Sequence, residues 1–348
     1  MIVVIIAGGS GTRLWPLSTS GYPKHLLTIG DDKNSLLQNT YARAKKLGDE
    51  VYIVSDISHI KHVKEQLSEL ADDHFIVEPG RRGTANCILT ALVQIGKNHN
   101  ADEPIAFIHA DHYIRDVAGF QHSFRIANSI SKKHGRIVLI GVEPDHAETG
   151  FGYIQKAEIL DEELFVYGVD SFKEKPDFKT ARGYLRSGNY LWNCGYFVGS
   201  INTFKEKMAA DAPDLLANYT KLNETPDESY EQAYLELTND AIDYALIEKV
   251  KDLLVVPAGF DWMDLGSFAD IAKVSSGAES GNYVKGNVEL EEVENSYIEN
   301  HEDKPIAVVG LDNCVVINTP HGILVARKDM SQKVGDVSKR IAKKEANA

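Results

Sequence analysis

The sequence predicts an α/β protein in which a doubly wound, mostly parallel sheet is followed by a small β-helix or β-sandwich. Two observations predict the sheet. Apolar strand-like segments alternate strictly with helix-like segments from residue 2 to residue 142. The first strand-like segment, residues 2–6, is continuously apolar and β-branched, as is typical of strands buried on both faces. A third observation predicts the smaller part: beyond about residue 280, short β runs broken by Gly, Asn and Asp replace the helical pattern.

The elements of the alternating region follow in order. After strand 2–6 and a long loop, Ser35 and Gln38 form a capping-box pattern that predicts the start of a helix, and Gly48 predicts its end. The further predicted strands are residues 51–55, 74–79, 104–112 and 136–142, and the further predicted helices are residues 58–71, 84–96 and 120–135. Because ligands of such sheets bind beyond the carboxyl ends of the strands, we expect the functional residues there.

The alternation loosens after residue 150 and predicts a mixed extension of the same sheet. The predicted strands here are residues 149–155, 163–176, 190–199 and 252–259, and the predicted helices are residues 177–188 and 240–250. We expect these segments to place a second wall over the ligand pocket. The predicted domains are an α/β domain at 1–275 and a β domain with a polar tail at 282–348, joined by the Gly/Ser-rich linker 275–281.

Composition limits the partners. The net charge of -14 argues against nucleic acid or an anionic membrane as the main partner. Cys87, Cys194 and Cys314 are scattered without a CxxC pair, which predicts reduced thiols in a cytoplasmic protein rather than a disulfide framework or a zinc site. The apolar run at the amino terminus is too short for a signal peptide or a membrane span, so we expect no membrane association.

The loop after the first strand, residues 7–27 (AGGSGTRLWPLSTSGYPKHLL), carries the first chemical signal. Three glycines near its start let backbone N–H groups approach a ligand without obstruction by Cβ atoms, and such a turn forms an anion-binding nest. Arg13 adds a planar cationic fork and Lys24 a compact charge. We therefore predict that the loop binds a polyphosphate. The alternative is an ordinary glycine-rich turn with two solvated cations.

Two other glycine motifs are excluded. The chain lacks the G-x-x-x-x-G-K-[ST] pattern of the P-loop in this region. The dinucleotide fingerprint needs a third glycine that opens a helix, but Leu14 stands at that position and Trp15-Pro16 prevents an immediate helix. A nicotinamide-dependent oxidoreductase is therefore the weakest alternative.

A series of further motifs follows in order along the chain: EPGRRGTA, ADH, TGFGYI, FKEKP, WNCGYF, IDYALIEK and DWMDLGSF. Together with AGGSGTRLWPLS and YPKHLL, the series resembles the sugar nucleotidyltransferase family over essentially the whole chain, and is most similar to its mannose-1-phosphate guanylyltransferase branch. The resemblance implies a Rossmann-like mixed sheet of the nucleotide-diphospho-sugar transferase type with a C-terminal β-helix. It also implies transfer of GMP from GTP to a sugar 1-phosphate, with α-D-mannose 1-phosphate as the first candidate, Mg²⁺ as the cofactor and a homodimer as the assembly.

The resemblance also assigns roles to residues. Asp111 and Asp264, each after a predicted strand, are implied to bind Mg²⁺, with Asp261 as an alternative ligand; on the residues alone, a turn or capping role is equally weighted. The expected catalytic residues are Arg13, Lys24, Asp111, Lys175 and Asp264. The expected nucleotide-binding residues are Ala7, Gly8, Gly9, Ser10, Gly11, Thr12, Arg13, Glu78, Thr84 and Asp111. The expected sugar-phosphate-binding residues are Gly150, Gly152, Tyr153, Glu174, Lys175 and Asn193.

Within these sets, Lys175 is implied to neutralise the phosphate of the sugar 1-phosphate and Glu174 to bind sugar hydroxyls, whereas Tyr153 is a candidate to pack against the sugar. The alternative for Glu174 and Lys175 is an exposed charge pair without a ligand, and the alternative for the motif that contains Tyr153 is an ordinary hairpin. Glu78 is a hypothesis for base recognition, because a carboxylate accepts from both the N1–H and the N2–H₂ of guanine.

Several positions depart from the usual pattern of the family. His25 stands where glutamine is common and His109 where proline is usual; the other departures are Gly83, Asn86, Cys194 and Phe268. They leave the sugar and the base open, so another sugar 1-phosphate such as a heptose, or thymidylyl or uridylyl transfer, is the nearest alternative. A non-catalytic regulator that binds nucleotide sugars is the alternative from another class. The chain lacks the cupin-like domain of some bacterial relatives, so we expect no mannose-6-phosphate isomerase activity.

Overall fold

The computed structural model describes residues 1–9, 11–48, 50–275 and 281–345, and its main feature is a nine-stranded mixed sheet with helices on both faces. The strands of this sheet are β1 (Ile2–Ala7), β2 (Val51–Asp56), β3 (Phe75–Glu78), β4 (Pro104–His109), β5 (Val138–Val142), β6 (Gly152–Asp161), β7 (Val166–Lys173), β8 (Tyr190–Ser200) and β9 (Leu254–Pro257). The α-helices are α1 (Leu36–Ala44), α2 (Ile60–Gln66), α3 (Gly83–Gly96), α4 (Val117–His134), α5 (Phe178–Ser187), α6 (Ile201–Asp211), α7 (Pro213–Glu224), α8 (Asp227–Leu235), α9 (Phe268–Val274) and, near the carboxyl terminus, α10 (Val334–Glu345).

The amino-terminal half of the sheet is parallel, as predicted. Strands β1 to β4 lie in the order β3-β2-β1-β4, and each neighbouring pair is parallel, so their carboxyl ends share one edge. Every residue of β1 is buried, which explains its continuous apolar run. The predicted capping box also forms, since the Ser35 hydroxyl accepts from the Gln38 amide and the Gln38 side chain accepts from the Ser35 amide.

The sequence predicted that the segments after residue 150 extend the sheet, but strand β8 is inserted inside it. It lies between β4 and β5 and is antiparallel to both, and β9, β7 and β6 continue the sheet beyond β5. Most residues of β8 are buried, so this long apolar strand is suited to an interior position. As a result, β8 brings side chains from the later half of the chain to the edge where β1 and β4 end.

Helices α6 to α8, over residues 201–235, were not predicted. They pack beside α3 on one face of the sheet through apolar side chains such as Phe204, Met208, Leu222 and Tyr234. Helices α1, α2 and α4 cover the opposite face. Among the helices of the described residues, none combines the length and apolar character needed to cross a membrane.

The C-terminal part is a β-helix rather than a sandwich. Its strands are β10 (Tyr283–Lys285), β11 (Val288–Glu291), β12 (Tyr297–Asn300), β13 (Ile306–Val309), β14 (Cys314–Thr319) and β15 (Gly322–Arg327). The pairs β10–β12, β12–β14 and β11–β13 are parallel, which is how successive rungs of a β-helix stack, and only β15 returns antiparallel to β14. Residues 276–280 of the predicted linker and residues 346–348 of the tail lie outside the described residues.

The β-helix shares a hydrophobic core with the loop that follows β1. Leu14 is buried in one cluster with Tyr297, Ile317 and Val334. The ring of Trp15 lies over Gly322, where a Cβ atom would be 2.6 Å from the ring. The C-terminal part therefore supports the glycine-rich loop directly.

Candidate active site

A cavity of about 580 Å³, the central cavity, opens at the carboxyl ends of β1, β2, β3 and β4. Its walls come from these strand ends on one side and from the segments around β6, β8 and β9 on the other. The cavity therefore lies where the doubly wound sheet predicts a ligand site.

The glycine-rich loop forms one end of the central cavity. Gly8 and Gly9 line it, and Gly9 and Gly11 have φ angles of 93° and 57°, in the left-handed region that favours glycine. A Cβ atom at Gly11 would lie 2.7 Å from the backbone nitrogen of Lys24, so only glycine allows the two parts of the loop to pack together. Ser10, a predicted nucleotide-binding residue, lies outside the described residues.

Lys24 is the central cation of this end. Its side chain is 7% exposed, and its Nζ lies 2.8 Å from Asp111 Oδ2 and 3.0 Å from Asp264 Oδ1. Burial alone would lower the pKa of Lys24, but the two carboxylates raise it above its ordinary value. Burial would likewise raise the pKa of Asp111, but the charge of Lys24 holds it well below its ordinary value. The predicted pair of acids thus converges on one ammonium group although the two residues are far apart in the sequence.

Arg13 approaches the same cluster from outside the cavity. Its side chain is 52% exposed, and its Nη2 lies 3.9 Å from Asp264 Oδ2. It packs against Gly335 of α10, where a Cβ atom would be 2.9 Å from Arg13 Cγ. Arg13 is therefore placed by the C-terminal helix rather than by a buried ion pair.

Glu174, Lys175 and Asn193 form the opposite end of the cavity. Glu174 is buried and its Oε1 lies 2.9 Å from Lys175 Nζ, whereas its Oε2 has no hydrogen-bond partner among the described residues. Asn193 Nδ2 donates to Asp243 Oδ1 over 2.7 Å. Burial, followed by the charge of Glu174, raises the pKa of Asp243 to about 6. A buried carboxylate oxygen without a partner is suited to accept hydrogen bonds from ligand hydroxyls.

A third group lines the cavity at the ends of β2 and β3. Glu78 is buried and accepts a hydrogen bond from the Tyr234 hydroxyl, and burial raises its pKa to about 7. Asp56, Arg81 and Thr84 line the same region. This end therefore offers a polar, partly desolvated edge to a ligand.

Comparisons with known proteins identify the family of the chain. The sequence model of the nucleotidyl transferase family matches residues 2–281. The chain belongs to the nucleotidyl transferase family. Residues 287–341 match the MannoseP isomerase/GMP-like beta-helix domain, in agreement with the parallel rungs of the C-terminal part.

Individual relatives of this nucleotidyl transferase support the same branch. A mannose-1-phosphate guanylyltransferase of Escherichia coli is 33% identical over 349 residues, which cover 97% of this chain and 75% of the relative. The xanthan biosynthesis protein XanB of Xanthomonas campestris pv. campestris is 34% identical, over 98% of this chain and 73% of the relative. A solved structure described as a mannose-1-phosphate geranyltransferase from Thermus thermophilus has a TM-score of 0.88 and 26% identity, and the match covers 98% of this chain and 99% of that one.

The predicted site residues of the nucleotidyl transferase lie in or next to the central cavity. Most of them line the central cavity: Gly8, Gly9, Glu78, Thr84, Asp111, Gly150, Gly152, Glu174, Lys175, Asn193 and Asp264. Lys24 and Arg13 do not line the cavity but contact its acids: Lys24 pairs with Asp111 and Asp264, and Arg13 lies 3.9 Å from Asp264. Gly11 and Thr12 lie in the loop beneath it, and Ala7 is fully buried in the core at the end of β1.

Tyr153 does not reach the cavity, contrary to the prediction. Its side chain is fully buried with Ala181 and Trp192, and its ring packs near Tyr184. Side chains alternate between the two faces of a strand, and because Gly152 faces the cavity, Tyr153 faces α5. Phe151, which precedes β6 and is not subject to its alternation, lines the cavity together with Trp262.

The structure does not bring Asp261, the expected alternative metal ligand, to the central cavity. Its carboxylate accepts from the backbone amides of Arg115 and Asp116 and pairs with Arg115 Nε at 3.0 Å. These contacts fix the turn before α4, and Asp261 does not line the central cavity.

Asp243 lines the cavity but was not predicted as a site residue. It begins a π-helical turn, Asp243–Ile247, in a segment that the sequence analysis predicted as an ordinary helix. The wider turn changes which face each side chain occupies, so helical periodicity could not place Asp243. The available signal was its position inside the motif IDYALIEK.

Proposed function

We propose that this nucleotidyl transferase transfers GMP from GTP to a sugar 1-phosphate, with α-D-mannose 1-phosphate as the first substrate, and releases pyrophosphate. The observation that carries the proposal is the arrangement of one cavity with two differently built ends. The glycine-rich loop with Lys24, Asp111 and Asp264 suits a triphosphate, and Glu174, Lys175 and Asn193 suit a sugar phosphate. The names of the relatives support the choice of guanosine and mannose.

Asp111 and Asp264 would hold the Mg²⁺ ion. Their carboxylates approach the same Lys24 nitrogen, so both are directed at one region, and carboxylate oxygens are the ligands that Mg²⁺ prefers. Among the described residues, no group of three or more His, Cys, Asp or Glu forms a complete metal cage. A pair of carboxylates completed by substrate phosphates is the usual kind of Mg²⁺ site. When bound, the ion would supply stabilisation of negative charge near the reacting phosphate.

The chain's own residues then need only to position and stabilise two anions. A phosphate oxygen of the sugar 1-phosphate attacks the α-phosphorus of GTP, and the bond between the α-phosphorus and its bridging oxygen to the β-phosphate breaks. The attacking phosphate, with a second pKa near 6, is already mostly dianionic at neutral pH, so no general base is required. Lys24, Arg13 and the loop amides would bind the triphosphate, and Lys175 would hold the attacking phosphate.

A substrate panel tests the proposal. Purified protein is incubated in Mg²⁺ with GTP, ATP, UTP or dTTP and with mannose, glucose or heptose 1-phosphate, and pyrophosphate release and product mass are measured. We expect the mass of GDP-mannose and the fastest release with GTP and mannose 1-phosphate; the Asp264→Ala variant controls for contaminating enzymes. A faster reaction with another pair would replace the substrates. Nucleotide binding without release of pyrophosphate in any mixture would favour the non-catalytic regulator and overturn the proposal.

The homodimer also remains a proposal. Strand β15 is the last strand of its sheet, and Ile323 and Val325 on it are 65% and 64% exposed. Exposed apolar side chains on an outer strand support a contact between subunits. Sedimentation of the wild type and of Val325→Lys tests this: a monomeric wild type would contradict it. The expected cytoplasmic location stays a prediction.

A further inference from the structure

His109 is the last residue of β4 and lines the central cavity two residues before Asp111. Its ring nitrogens have no hydrogen-bond partner among the described residues. The neighbouring His112 differs, because its Nδ1 lies 2.9 Å from the Tyr196 hydroxyl. An imidazole carries at least one N–H in either protonation state, so His109 presents a free donor to the cavity.

The fold holds this ring in a defined place. Gly195 of β8 has a φ of 72°, and a Cβ atom there would lie 2.6 Å from His109 Nε2. The His112 ring packs against His109 with ring centroids 5.1 Å apart. The absence of a side chain at Gly195 therefore makes the space that the imidazole occupies.

The position of the ring relates it to both ends of the cavity. Asp111 follows it on the triphosphate side, and Asn193 precedes Gly195 by two residues on the sugar side. If the sugar binds near Asn193 and the α-phosphate of GTP lies near Asp111, the phosphate of the sugar 1-phosphate occupies the region between these two residues. His109 stands at this boundary, where the resemblance predicts proline, a residue whose side chain has no donor.

We propose that His109 donates a hydrogen bond to the phosphate of the sugar 1-phosphate and so helps Lys175 to orient the attacking group. This inference rests on the proposed function, because it takes a sugar 1-phosphate as the second substrate. It predicts that His109 contributes to the affinity for the sugar phosphate more than to the affinity for GTP.

Two variants separate the hydrogen bond from the packing of the ring. His109→Phe keeps an aromatic ring over Gly195 but removes the donor, whereas His109→Asn keeps an amide donor but removes the ring. We expect His109→Phe to raise the KM for mannose 1-phosphate by roughly tenfold or more, the loss expected for one hydrogen bond to a charged group, with little change in the KM for GTP. His109→Asn should retain more of the affinity. The opposite order, with Phe close to wild type and Asn impaired, would show that the ring only packs and would overturn the proposal.

Direct binding distinguishes this inference from the proposed function. Mannose 1-phosphate is titrated calorimetrically into wild type and both variants in the presence of Mg²⁺ and a GTP analogue with a methylene group between the α- and β-phosphorus atoms. Thermal melting of each variant verifies that it is folded. Equal affinity of folded wild type and His109→Phe overturns the role of His109 and leaves the proposed function intact. Absence of binding to the wild type overturns both.

Discussion

At the loop end of the central cavity, Lys24 is 7% exposed and lies between the carboxylates of Asp111 and Asp264. At the sugar end, Lys175 is 55% exposed, and among the described residues its one ion pair is with Glu174. Arg13, on the outside of the loop end, is 52% exposed and 3.9 Å from Asp264. The buried cation is fixed before any substrate arrives. The exposed cations are open to solvent, and each has a single acid partner among the described residues.

This difference suggests how the two substrates are handled. A buried, hydrogen-bonded ammonium group needs no reorganisation when charge develops on the leaving pyrophosphate, and such preorganised groups usually contribute most to stabilising a transition state. An exposed lysine is screened by water and loses side-chain entropy on binding, so it contributes mainly to capture and orientation. We therefore expect the buried cluster to control turnover and the exposed cations to control KM.

The largest effect is expected for Lys24→Ala. The substitution removes the cation that two neighbouring carboxylates share and leaves them to repel each other. Turnover should fall at least about a hundredfold, the loss seen when a single preorganised charge-stabilising group is removed. Lys207→Ala is the matched control, because Lys207 is also mostly buried, with a side chain 9% exposed and 2.7 Å from Asp252, but lies outside the cavity.

Both lysine variants are measured as turnover per folded protein in the pyrophosphate-release assay. We expect Lys207→Ala to lose stability but to keep its turnover. A Lys24→Ala enzyme with near-normal turnover would show that the buried cluster is structural and would remove the distinction between the two ends of the cavity.

The next effect separates two acids of the same motif. Asp264→Ala should lower turnover at least about a hundredfold, because this carboxylate contacts Lys24 and is one of the two proposed Mg²⁺ ligands. Asp261→Ala should lower stability through the loss of its contacts with Arg115 and Asp116, while turnover of the folded protein stays within a few-fold of wild type. Steady-state rates at several Mg²⁺ concentrations test the pair. Similar losses in both variants would contradict the assignment of the metal site.

The sequence could predict the buried end of the cavity better than its opposite wall. Lys24 and Asp111 follow strands or loops whose apolar runs and glycines predict their positions, and parallel strands bring their carboxyl ends together. Asp264 could be paired with them only through the resemblance, because the insertion of β8 between β4 and β5 depends on tertiary pairing.

Each incorrect or missing prediction has its own physical cause. Tyr153 was placed on the wrong face because its prediction did not consider the alternation of side chains along β6, where Gly152 faces the cavity. Asp243 was missed because a π-helical turn breaks the usual helical period. Helices α6 to α8 were missed because their stability depends on packing beside α3, which a single sequence does not show.

The pKa values of Glu78 and Asp111 shift in opposite directions. Both carboxylates are in the cavity wall, but Glu78 is buried beside a hydroxyl rather than a lysine, and burial raises its pKa from 4.5 to about 7. The folded state then holds the proton more tightly than the unfolded state. The stability that Glu78 contributes is therefore full below about pH 4.5 and is lost as the pH rises to about 7.

Glu78→Gln cannot ionise and should lack this loss. The difference in the free energy of unfolding between wild type and Glu78→Gln should shift by about 3 kcal/mol against the wild type between pH 4.5 and pH 7.5. Urea unfolding across this range measures this difference, and free energies of unfolding that change with pH in parallel for the two proteins would contradict the burial argument.

The ratio of GTP to ATP use by the same variant tests base recognition: an unchanged ratio would reject Glu78 as the residue that recognises guanine.

The smallest effect is expected where an exposed cation is positioned by the C-terminal part. Gly335→Val places side-chain atoms where Arg13 Cγ now lies, since even a Cβ atom would be 2.9 Å away, so Arg13 must move from Asp264. The KM for GTP should rise by a few-fold with little change in turnover, as expected for a screened, half-exposed charge. Gly183→Val is the matched control, because Gly183 is also in a helix and a Cβ there meets nothing within 4 Å.

In an Arg13→Ala background, Gly335→Val should have no further effect on the KM for GTP, because the two changes act through the same contact. Additive effects would instead mean that α10 acts on the triphosphate end of the cavity by another route, and the exposed cation would not depend on the β-helix for its position.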